Sequence, residues 1–172
     1  FMILFLDVIS PKPKFVLLDN NKAIETLHIL DQNSTKISDS IQKKFLTLQK
    51  QNNLFNILNY LVVCTGPGSF TSLRVGISFM LGISYSKEIP IRGITCTELL
   101  SRSITEEEID KTFMVICSAN KQYFVCLPIK YKNYQYKIIK VDDKYSFNKI
   151  DLKLYSKCIS NFDLPDFINI NA

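Results

Sequence analysis

The sequence predicts a mixed α/β fold, because strand-like and helix-like segments alternate along the first hundred or so residues. Three apolar runs of strand length open the chain, at positions 2–8, 15–19 and 23–30. Two long helical patterns follow, and a buried-looking strand at 60–64 separates them. The last part of the chain changes to a series of strand patterns. This order is typical of sheets that are flanked by helices.

Short turn signals separate the three opening strands. Pro11 and Pro13 divide the first strand from the second, and Asn20 with Asn21 predicts a hairpin turn between the second and the third. The third run contains His28, the only histidine of the chain. One histidine is too few for a histidine-based metal site, so we interpret His28 as an ordinary strand residue.

The first long helix is predicted to begin at Ser34 or Thr35 and to end near Lys50, with Asp39 in a favourable early turn. Apolar residues recur in it at a spacing of three to four, which is the period of one helix face. This stripe consists of Ile37, Ile41, Phe45 and Leu48, and Leu46 widens it. A shorter helical piece at 53–59 leads into the strand at 60–64.

The most informative segment is the turn between that strand and the second long helix. Its residues are Gly66, Pro67, Gly68, Ser69, Phe70 and Thr71. Gly66 and Gly68 are predicted to allow a sharp reversal with φ above zero, and Ser69 or Thr71 is predicted to cap the helix. The turn lacks the lysine and the glycine spacing of a Walker A loop, and it is not GxGxxG. Taken alone, it is a weak signal for a nucleotide site.

The second long helix, at about 71–86, is apolar on nearly all sides, which is unusual for a surface helix. One face consists of Leu73, Ile77, Met80 and Leu81 with Ser84 or Tyr85, and another consists of Val75, Phe79 and Ile83. Gly76, Ser78 and Gly82 are small enough to let a neighbouring backbone approach. Two interpretations follow: the chain buries both faces itself, or one face packs against a partner.

The remaining segments predict a second, strand-rich part. Thr95 and Glu98 have the spacing of a capping box and open a third helix that ends near 103. The acidic link at 105–111 is the best boundary, so we predict an N-terminal lobe over residues 1–104 and a shortened C-terminal lobe over residues 105–172. Strand patterns at 113–117, 123–129 and 136–141 predict an antiparallel meander, and 157–160 predicts one more strand.

Composition limits the classes of function. The chain has 172 residues, of which 47% are hydrophobic, and this length and composition are enough for one substantial core or two small lobes. Charged residues make up 22%, and the net charge is +5. The lysines are scattered, so the charge favours a solvated surface over an RNA-binding motif. The apolar runs are too short to span a bilayer, and we expect a cytoplasmic protein without membrane contact. The five cysteines form no CxxC pair and are predicted to be buried free thiols.

Two segments together resemble a known family. Gly66–Gly76 and Ile89–Leu99 are similar to the signature of the TsaB family, which reads GPGSFTGLR, then an amphipathic helix, then IPVxGVSSLEAL at the same spacing. Here Ser72 stands where the family usually has glycine. The similarity is strong over residues 60–100, fair over 2–58 and faint beyond 113.

The resemblance implies an actin-like ATPase fold with two lobes of mixed sheets flanked by helices. It also implies a non-catalytic adaptor in the synthesis of threonylcarbamoyladenosine on tRNA, paired with the catalytic subunit TsaD through a four-helix bundle. The second long helix has two apolar faces and several small residues, which independently favours a second surface that covers it. The predicted partner interface consists of Ile41, Phe45, Leu48, Leu73, Arg74, Ile77, Met80 and Leu81, with Arg74 as a polar contact at the rim. For each apolar member, the alternative is packing in the chain's own core.

Other expectations about partners follow from the same resemblance. We expect a homodimer through the same helices when TsaD is absent, only indirect or weak contact with tRNA, and no cofactor. Docking of a third subunit, a TsaE-like ATPase, is left open by the sequence.

The actin-like fold raises the question of catalysis. Asp7 occupies the place where actin-like ATPases hold hydrated Mg²⁺, but the segment after it has no glycine and contains two prolines, so it is a poor phosphate cradle. Asp7 is interpreted as a strand-end turn residue, or else as a vestigial nucleotide or metal ligand. The chain has no glycine after Gly93, and its single histidine cannot form the HxxxH metal motif that the catalytic relatives in this superfamily carry. Ser118-Ala119-Asn120 stands where members of the TsaB family often have Asp-Ala-Arg. We therefore predict a non-catalytic protein. The alternative is a nucleotide-dependent kinase or hydrolase.

Overall fold

The first sheet has five strands. The computed structural model describes residues 1–31, 36–118, 121–129 and 135–161. The strand order is β3-β2-β1-β4-β5, with β1 in the centre. The strands are β1 (Met2–Asp7), β2 (Lys14–Asp19), β3 (Lys22–His28), β4 (Leu58–Cys64) and β5 (Ile91–Ile94). β1, β2 and β3 pair antiparallel, whereas β4 and β5 run parallel to β1 and to each other, so the sheet is mixed as predicted.

The helices are α1 (Ile37–Asn52), α2 (Leu54–Ile57), α3 (Phe70–Lys87), α4 (Cys96–Ser101) and α5 (Lys144–Asn148), with a 3₁₀ turn at Glu106–Lys111. Both predicted long helices are confirmed. Their N-termini differ: α3 has a side-chain cap at Ser69, whereas Lys36 precedes α1 without one. The predicted starting residues Ser34 and Thr35 lie outside the described residues. Among the described helices, none is both long enough and apolar enough to cross a membrane.

The second sheet has four strands in the order β8-β7-β6-β9. They are β6 (Thr112–Cys117), β7 (Tyr123–Pro128), β8 (Tyr136–Val141) and β9 (Lys157–Ser160). The antiparallel meander β6-β7-β8 is confirmed, and β9 pairs parallel to β6 on the other side. Two short elements, β5 and α5, have no counterpart in the sequence prediction.

Strand β6 is buried along its whole length because it serves two cores. Met114 and Ile116 pack into the same apolar cluster as the first sheet and its helices. Phe113 and Val115 point the other way, into a smaller cluster that includes Val141 of β8. This alternation is the period of a strand. The main core therefore extends past residue 104, and the division into two lobes at that point stays a prediction.

Three aromatic rings hold α1 and α3 on the same face of the first sheet. Phe15 of β2 lies 6.0 Å from Phe45 of α1 and 6.2 Å from Phe79 of α3, measured between ring centroids. Phe45 and Phe79 meet edge to face at 5.4 Å. These distances are typical of favourable aromatic packing. Because the buried sides of both helices point at the sheet, their opposite sides face solvent in the same direction.

Two glycines allow α3 and the turn before it to approach the residues that follow β1. A Cβ atom built on Gly76 would lie 2.7 Å from a methyl carbon of Val8, and one built on Gly68 would lie 2.9 Å from Ile9. Real Cβ atoms do not come so close, and both neighbours are fully buried. On the opposite side of α3, a Cβ built on Gly82 would meet no atom within 4 Å.

The aromatic cluster generates the first prediction. Replacing Phe45, which is 4% exposed, with alanine should lower the free energy of unfolding by about 3–5 kcal/mol, because it opens a cavity between the sheet and both helices. The neighbouring Leu46 is 46% exposed, so Leu46→Ala is the matched control and should change it by less than about 0.5 kcal/mol. Urea denaturation measures both. Equal effects would contradict the described orientation of α1.

The two α3 glycines generate the second prediction, in which the same substitution has opposite effects. Gly82→Ala should raise the free energy of unfolding by about 0.5–1 kcal/mol, because alanine favours the helix and the site is open. Gly76→Ala should lower it by about 1–3 kcal/mol, because its methyl group collides with Val8. Thermal and urea unfolding of the two variants measure the difference. Stabilisation by both would show that α3 lies farther from Val8 than described.

Candidate functional site

The turn before α3 uses its two glycines for different purposes. Gly66 has φ of 123°, as predicted, and its carbonyl accepts a 2.8 Å hydrogen bond from the amide of Cys96. The prediction of a positive φ at Gly68 is wrong, because Gly66 is the only glycine with positive φ in the described part of the chain. Gly68 is instead required by its close approach to Ile9. The turn is thereby fixed both to the segment that follows β1 and to the start of α4.

The structure shows which of the two candidates, Ser69 or Thr71, caps α3. Ser69 is the N-cap: its carbonyl accepts a 2.9 Å hydrogen bond from the amide of Leu73, and its hydroxyl accepts a longer one, 3.5 Å, from the amide of Ser72. Thr71 lies inside the helix and is exposed. The Ser69 hydroxyl therefore satisfies an amide that an anion would otherwise bind at this helix end.

Phe70 and Arg74 form an exposed pair on the first turns of α3. The Arg74 guanidinium carbon lies 5.2 Å from the centroid of the Phe70 ring, within the range of a cation–π contact. Phe70 is 72% exposed, which is unusual for a residue of this size. Arg74 lies at the surface, as its predicted role at a rim requires.

Asp7 uses its carboxylate in its own turn. Its Oδ1 atom accepts hydrogen bonds from the amides of Ile9 at 2.8 Å and Ser10 at 3.0 Å. In an actin-like phosphate loop these amides would point at the ligand. The geometry thus favours the turn-residue interpretation of Asp7 over the metal or nucleotide ligand. The described residues contain no group of three or more His, Cys, Asp or Glu side chains that could hold a metal ion.

Four of the predicted interface residues lie in the chain's own core. They are Ile41, Phe45, Leu48 and Met80, each exposed by 4% or less. Ile41, Phe45 and Leu48 belong to the side of α1 that faces the sheet, and Met80 follows Gly76 on the buried side of α3. A side chain that is already covered cannot form a partner surface without unfolding its helix, so we remove these four from the interface.

The other four predicted residues lie at or near the surface. Leu73 and Ile77 are half-buried and pack against the main core. Arg74 is exposed, and Leu81 is 49% exposed. Helical spacing places Ser78 and Gly82 beside them. Tyr85, 91% exposed, continues the same side and borders a shallow depression of about 600 Å³ together with Ser84 and Ile89.

We call the outward sides of α1 and α3 the helix surface. It consists of Asp39, Lys43, Leu46 and Lys50 on α1, and of Phe70, Arg74, Ser78, Leu81, Gly82 and Tyr85 on α3. The sequence prediction places Phe70 only in the turn, takes Leu46 as a widening of the apolar stripe, and groups Tyr85 with Leu81 without including it in the interface. The signal was present in the helical period, because residues 74, 78, 81 and 85 share one side of α3, opposite Gly76. This apolar and basic surface has the chemistry to bind another macromolecule.

The thiols of Cys64 and Cys96 are buried in contact beneath the turn, with their sulfur atoms 3.2 Å apart. The hydrogen bond between them, together with burial, raises the pKa of the Cys96 thiol well above its ordinary value. Burial alone raises the pKa of Cys126 to about 12. All five cysteines are free, and four are buried, which confirms most of the prediction. Protonated, inaccessible thiols are poor nucleophiles, so these residues have a packing role.

The capping box of α4 is confirmed. The hydroxyl of Thr95 accepts from the amide of Glu98 at 3.1 Å, and the amide of Thr95 donates to the Glu98 carboxylate at 2.7 Å. That second hydrogen bond is the main reason why the pKa of Glu98 lies below its usual value. In the second sheet, Ser118 is buried and its amide donates to the carbonyl of Gln122, whereas Ala119 and Asn120 lie outside the described residues.

Comparison with known proteins identifies the family. The model of the family described as TsaD, tRNA N6-adenosine threonylcarbamoyltransferase, matches residues 34–152. Two curated relatives carry the name tRNA threonylcarbamoyladenosine biosynthesis protein TsaB. One, from Buchnera aphidicola subsp. Schizaphis graminum, is 34% identical over 62 residues, 36% of this chain and 30% of that protein. The other, from Buchnera aphidicola subsp. Acyrthosiphon pisum, is 27% identical over 95 residues, which cover 50% of this chain and 43% of that protein. The matched segments thus span less than half of either relative.

Solved structures identify the fold. YeaZ from Pseudomonas aeruginosa superposes with a TM-score of 0.52 at 14% identity, over 81% of this chain and 66% of that one. An uncharacterised protein with similarity to the peptidase YeaZ, from the same organism, gives a TM-score of 0.55 at 14% identity. The superposition covers 80% of this chain and 63% of that one. These likenesses confirm the predicted actin-like α/β fold. The matched family model covers more than half of the chain, so the chain belongs to the family that this model describes, and its curated relatives carry the name TsaB.

Proposed function

We propose that this chain is a non-catalytic adaptor subunit in the synthesis of threonylcarbamoyladenosine on tRNA, and that it binds a TsaD-type catalytic subunit through the helix surface. The names of the curated relatives support the pathway. The observation that supports the binding role most strongly is the outward side of α3, where Leu81 and Tyr85 remain exposed beside Ser78 and Gly82.

The packing of α3 explains why such a surface suits a partner helix. Exposed apolar side chains that share one helix side lose unfavourable contact with water when a partner covers them. Small residues between them let a second helix approach, since the interaxial distance depends on the side chains at the contact. Gly82 has open space around it, so a partner side chain can fill that position. A surface of this kind fits the side of a second helical layer.

The state of Asp7 supports the non-catalytic part of the proposal. Its carboxylate is engaged by the amides of Ile9 and Ser10, which an active phosphate loop would need for its ligand. His28, the only histidine, lies exposed on the edge strand β3. In this proposal the chain supplies a binding surface, and the partner supplies the chemistry on tRNA.

Several finer points belong to the same proposal. In the absence of the TsaD-type subunit, the helix surface pairs with a second copy of the chain. Contact with tRNA is indirect or weak, a TsaE-like ATPase is a further candidate subunit, and the cytoplasm is the expected compartment. The lobe division at residue 104 is part of this proposal as well.

The proposal predicts that Leu81→Glu abolishes the complex with the TsaD-type subunit of the same organism. The reason is that complex formation would bury an unpaired carboxylate in an apolar contact, which we expect to weaken binding at least a hundredfold. The complex is measured by light scattering after gel filtration of the mixed proteins. Ile138→Glu is the matched control, because Ile138 on β8 is also 49% exposed and lies away from the helix surface.

Both variants should unfold within a few degrees of the unmodified chain, because both sites are on the surface. Loss of the complex with Leu81→Glu alone supports the proposal. An unmodified chain that forms no complex at micromolar concentration, or a complex that loses affinity with Ile138→Glu but not with Leu81→Glu, would contradict it.

A further inference from the structure

The first sheet has a second face, opposite α1 and α3, which is also apolar. In β1, Leu4 and Leu6 point to the helices and are fully buried, whereas Ile3 and Phe5 alternate with them and are half-buried. Strand register places the neighbours of Ile3 and Phe5 on the same face. We call this set of half-buried residues the open face, which consists of Ile3 and Phe5 on β1, Val16 and Leu18 on β2, and Tyr60 and Val62 on β4.

Each helix of the described residues packs elsewhere. α1 and α3 meet Phe15 on the opposite face of the sheet, and α2 adjoins α1, where the rings of Phe55 and Phe45 lie 5.8 Å apart. α4 contacts β6 and α5 contacts β8, both in the second sheet. Strands that are apolar on both faces are typical of sheets that are covered on both sides. The open face is therefore an apolar patch that lacks the cover its composition suits.

The two sheets repeat one arrangement of strands. In each, three strands form an antiparallel meander, and a later strand pairs parallel to the first strand of that meander. The strand orders are β3-β2-β1-β4 and β8-β7-β6-β9, and the first sheet adds β5 at its edge. A helix follows the meander in both cases, α1 after β3 and α5 after β8. The two strands β1 and β6 are thus equivalent.

In the second sheet, the face equivalent to the open face is covered. α5 packs on the side of β6 that carries Phe113 and Val115, as α1 and α3 pack on one side of β1. The equivalent of the open face is the other side of β6, with Met114 and Ile116. Both residues are fully buried, in the core that also contains Cys96 of α4, and α4 contacts β6. Among the described helices, the second sheet thus has one on each face, whereas the first sheet has them on one face only.

We propose that the open face binds an amphipathic helix of a second polypeptide, in the way that α4 binds the second sheet. The occupant carries apolar side chains at a spacing of three to four, as Cys96 and Leu100 do in α4. Binding removes the six apolar side chains of the open face from water, which favours association. This inference goes beyond the proposed function, because the open face and the helix surface lie on opposite sides of the first sheet.

The chemistry of the open face favours a helix over RNA. Four of its six side chains are aliphatic and offer bases no ring to stack on. Two cations border it, and each has a carboxylate nearby: Lys14 stands opposite Asp7 in the strand register, and Arg92 lies 3.9 Å from Glu98. A phosphate backbone would find little net positive charge here. Apolar contact is therefore the main source of affinity.

A peptide with the sequence of residues 94–104, which contain α4, is the probe for this surface. The repeat makes the open face equivalent to the surface that α4 covers, so this peptide should bind there. It is titrated under reducing conditions into the isotope-labelled chain, and amide chemical shifts are followed by NMR. Shifts should be confined to β1, β2 and β4, with a dissociation constant on the order of 0.1–1 mM, because a short peptide must fold as it binds. The same peptide with Leu100→Asp is the control and should not bind.

Variants of the chain test the residues of the open face. Val16→Glu should weaken binding of the peptide at least about tenfold, because the bound helix would cover a carboxylate in an apolar contact. Val16→Thr keeps the shape of the side chain and should weaken binding about threefold, so the test does not depend on whether the glutamate variant folds. Ile138→Glu on β8 introduces the same charge in the second sheet and should change the affinity less than about twofold.

Four outcomes would overturn the inference. Absence of binding, or shifts confined to the helix surface, shows that the open face takes no helix. Binding only to a chain shortened after Asn161 shows that residues 162–172 compete for the face, which excludes a second polypeptide as its occupant. Open-face signals that shift when the chain alone is concentrated identify a second copy instead, and signals that shift with tRNA but not with the peptide identify RNA. None of these outcomes bears on the complex with the TsaD-type subunit, which Leu81→Glu tests separately.

Discussion

The contact between Gly76 and Val8 fixes how closely α3 lies against the first sheet. A side chain at position 76 would meet the buried Val8 at 2.7 Å, so the helix touches the chain that leaves β1 with its backbone. The aromatic cluster of Phe15, Phe45 and Phe79 then places α1 at its side. Once these contacts are made, the remaining side of α3 has no element of the described chain to cover it.

This arrangement explains why the outward side of α3 matters: it is apolar although no described element covers it. A helix that is apolar on one side only would expose polar residues to water, as α1 does at most of its outward positions. α3 exposes Leu81 and Tyr85 instead, on the same side as Arg74. Exposed apolar side chains on one side of a helix supply affinity when a partner helix covers them, which is the physical basis of the proposed binding role.

The sequence predicted most of the fold, because the strands and the long helices have clear periods and the turn at Gly66 has an unusual spacing. It missed β5, since four residues are too few to display a strand period. It assigned a positive φ to Gly68, where the true constraint is a long-range contact with Ile9. Periodicity shows which residues share a helix side but not which side meets the sheet. For that reason Phe45 and Met80, which the sequence assigned to the interface, belong to the core.

Amide hydrogen exchange of the chain with and without the TsaD-type subunit shows whether the outward side of α3 is the binding surface. Binding there should slow exchange along α3 from Ser78 to Lys87 and along α1 near Leu46, with no change in β8. Protection confined to the second sheet or to the turn at Asp7, with α3 unchanged, would place the partner elsewhere and rule out this surface.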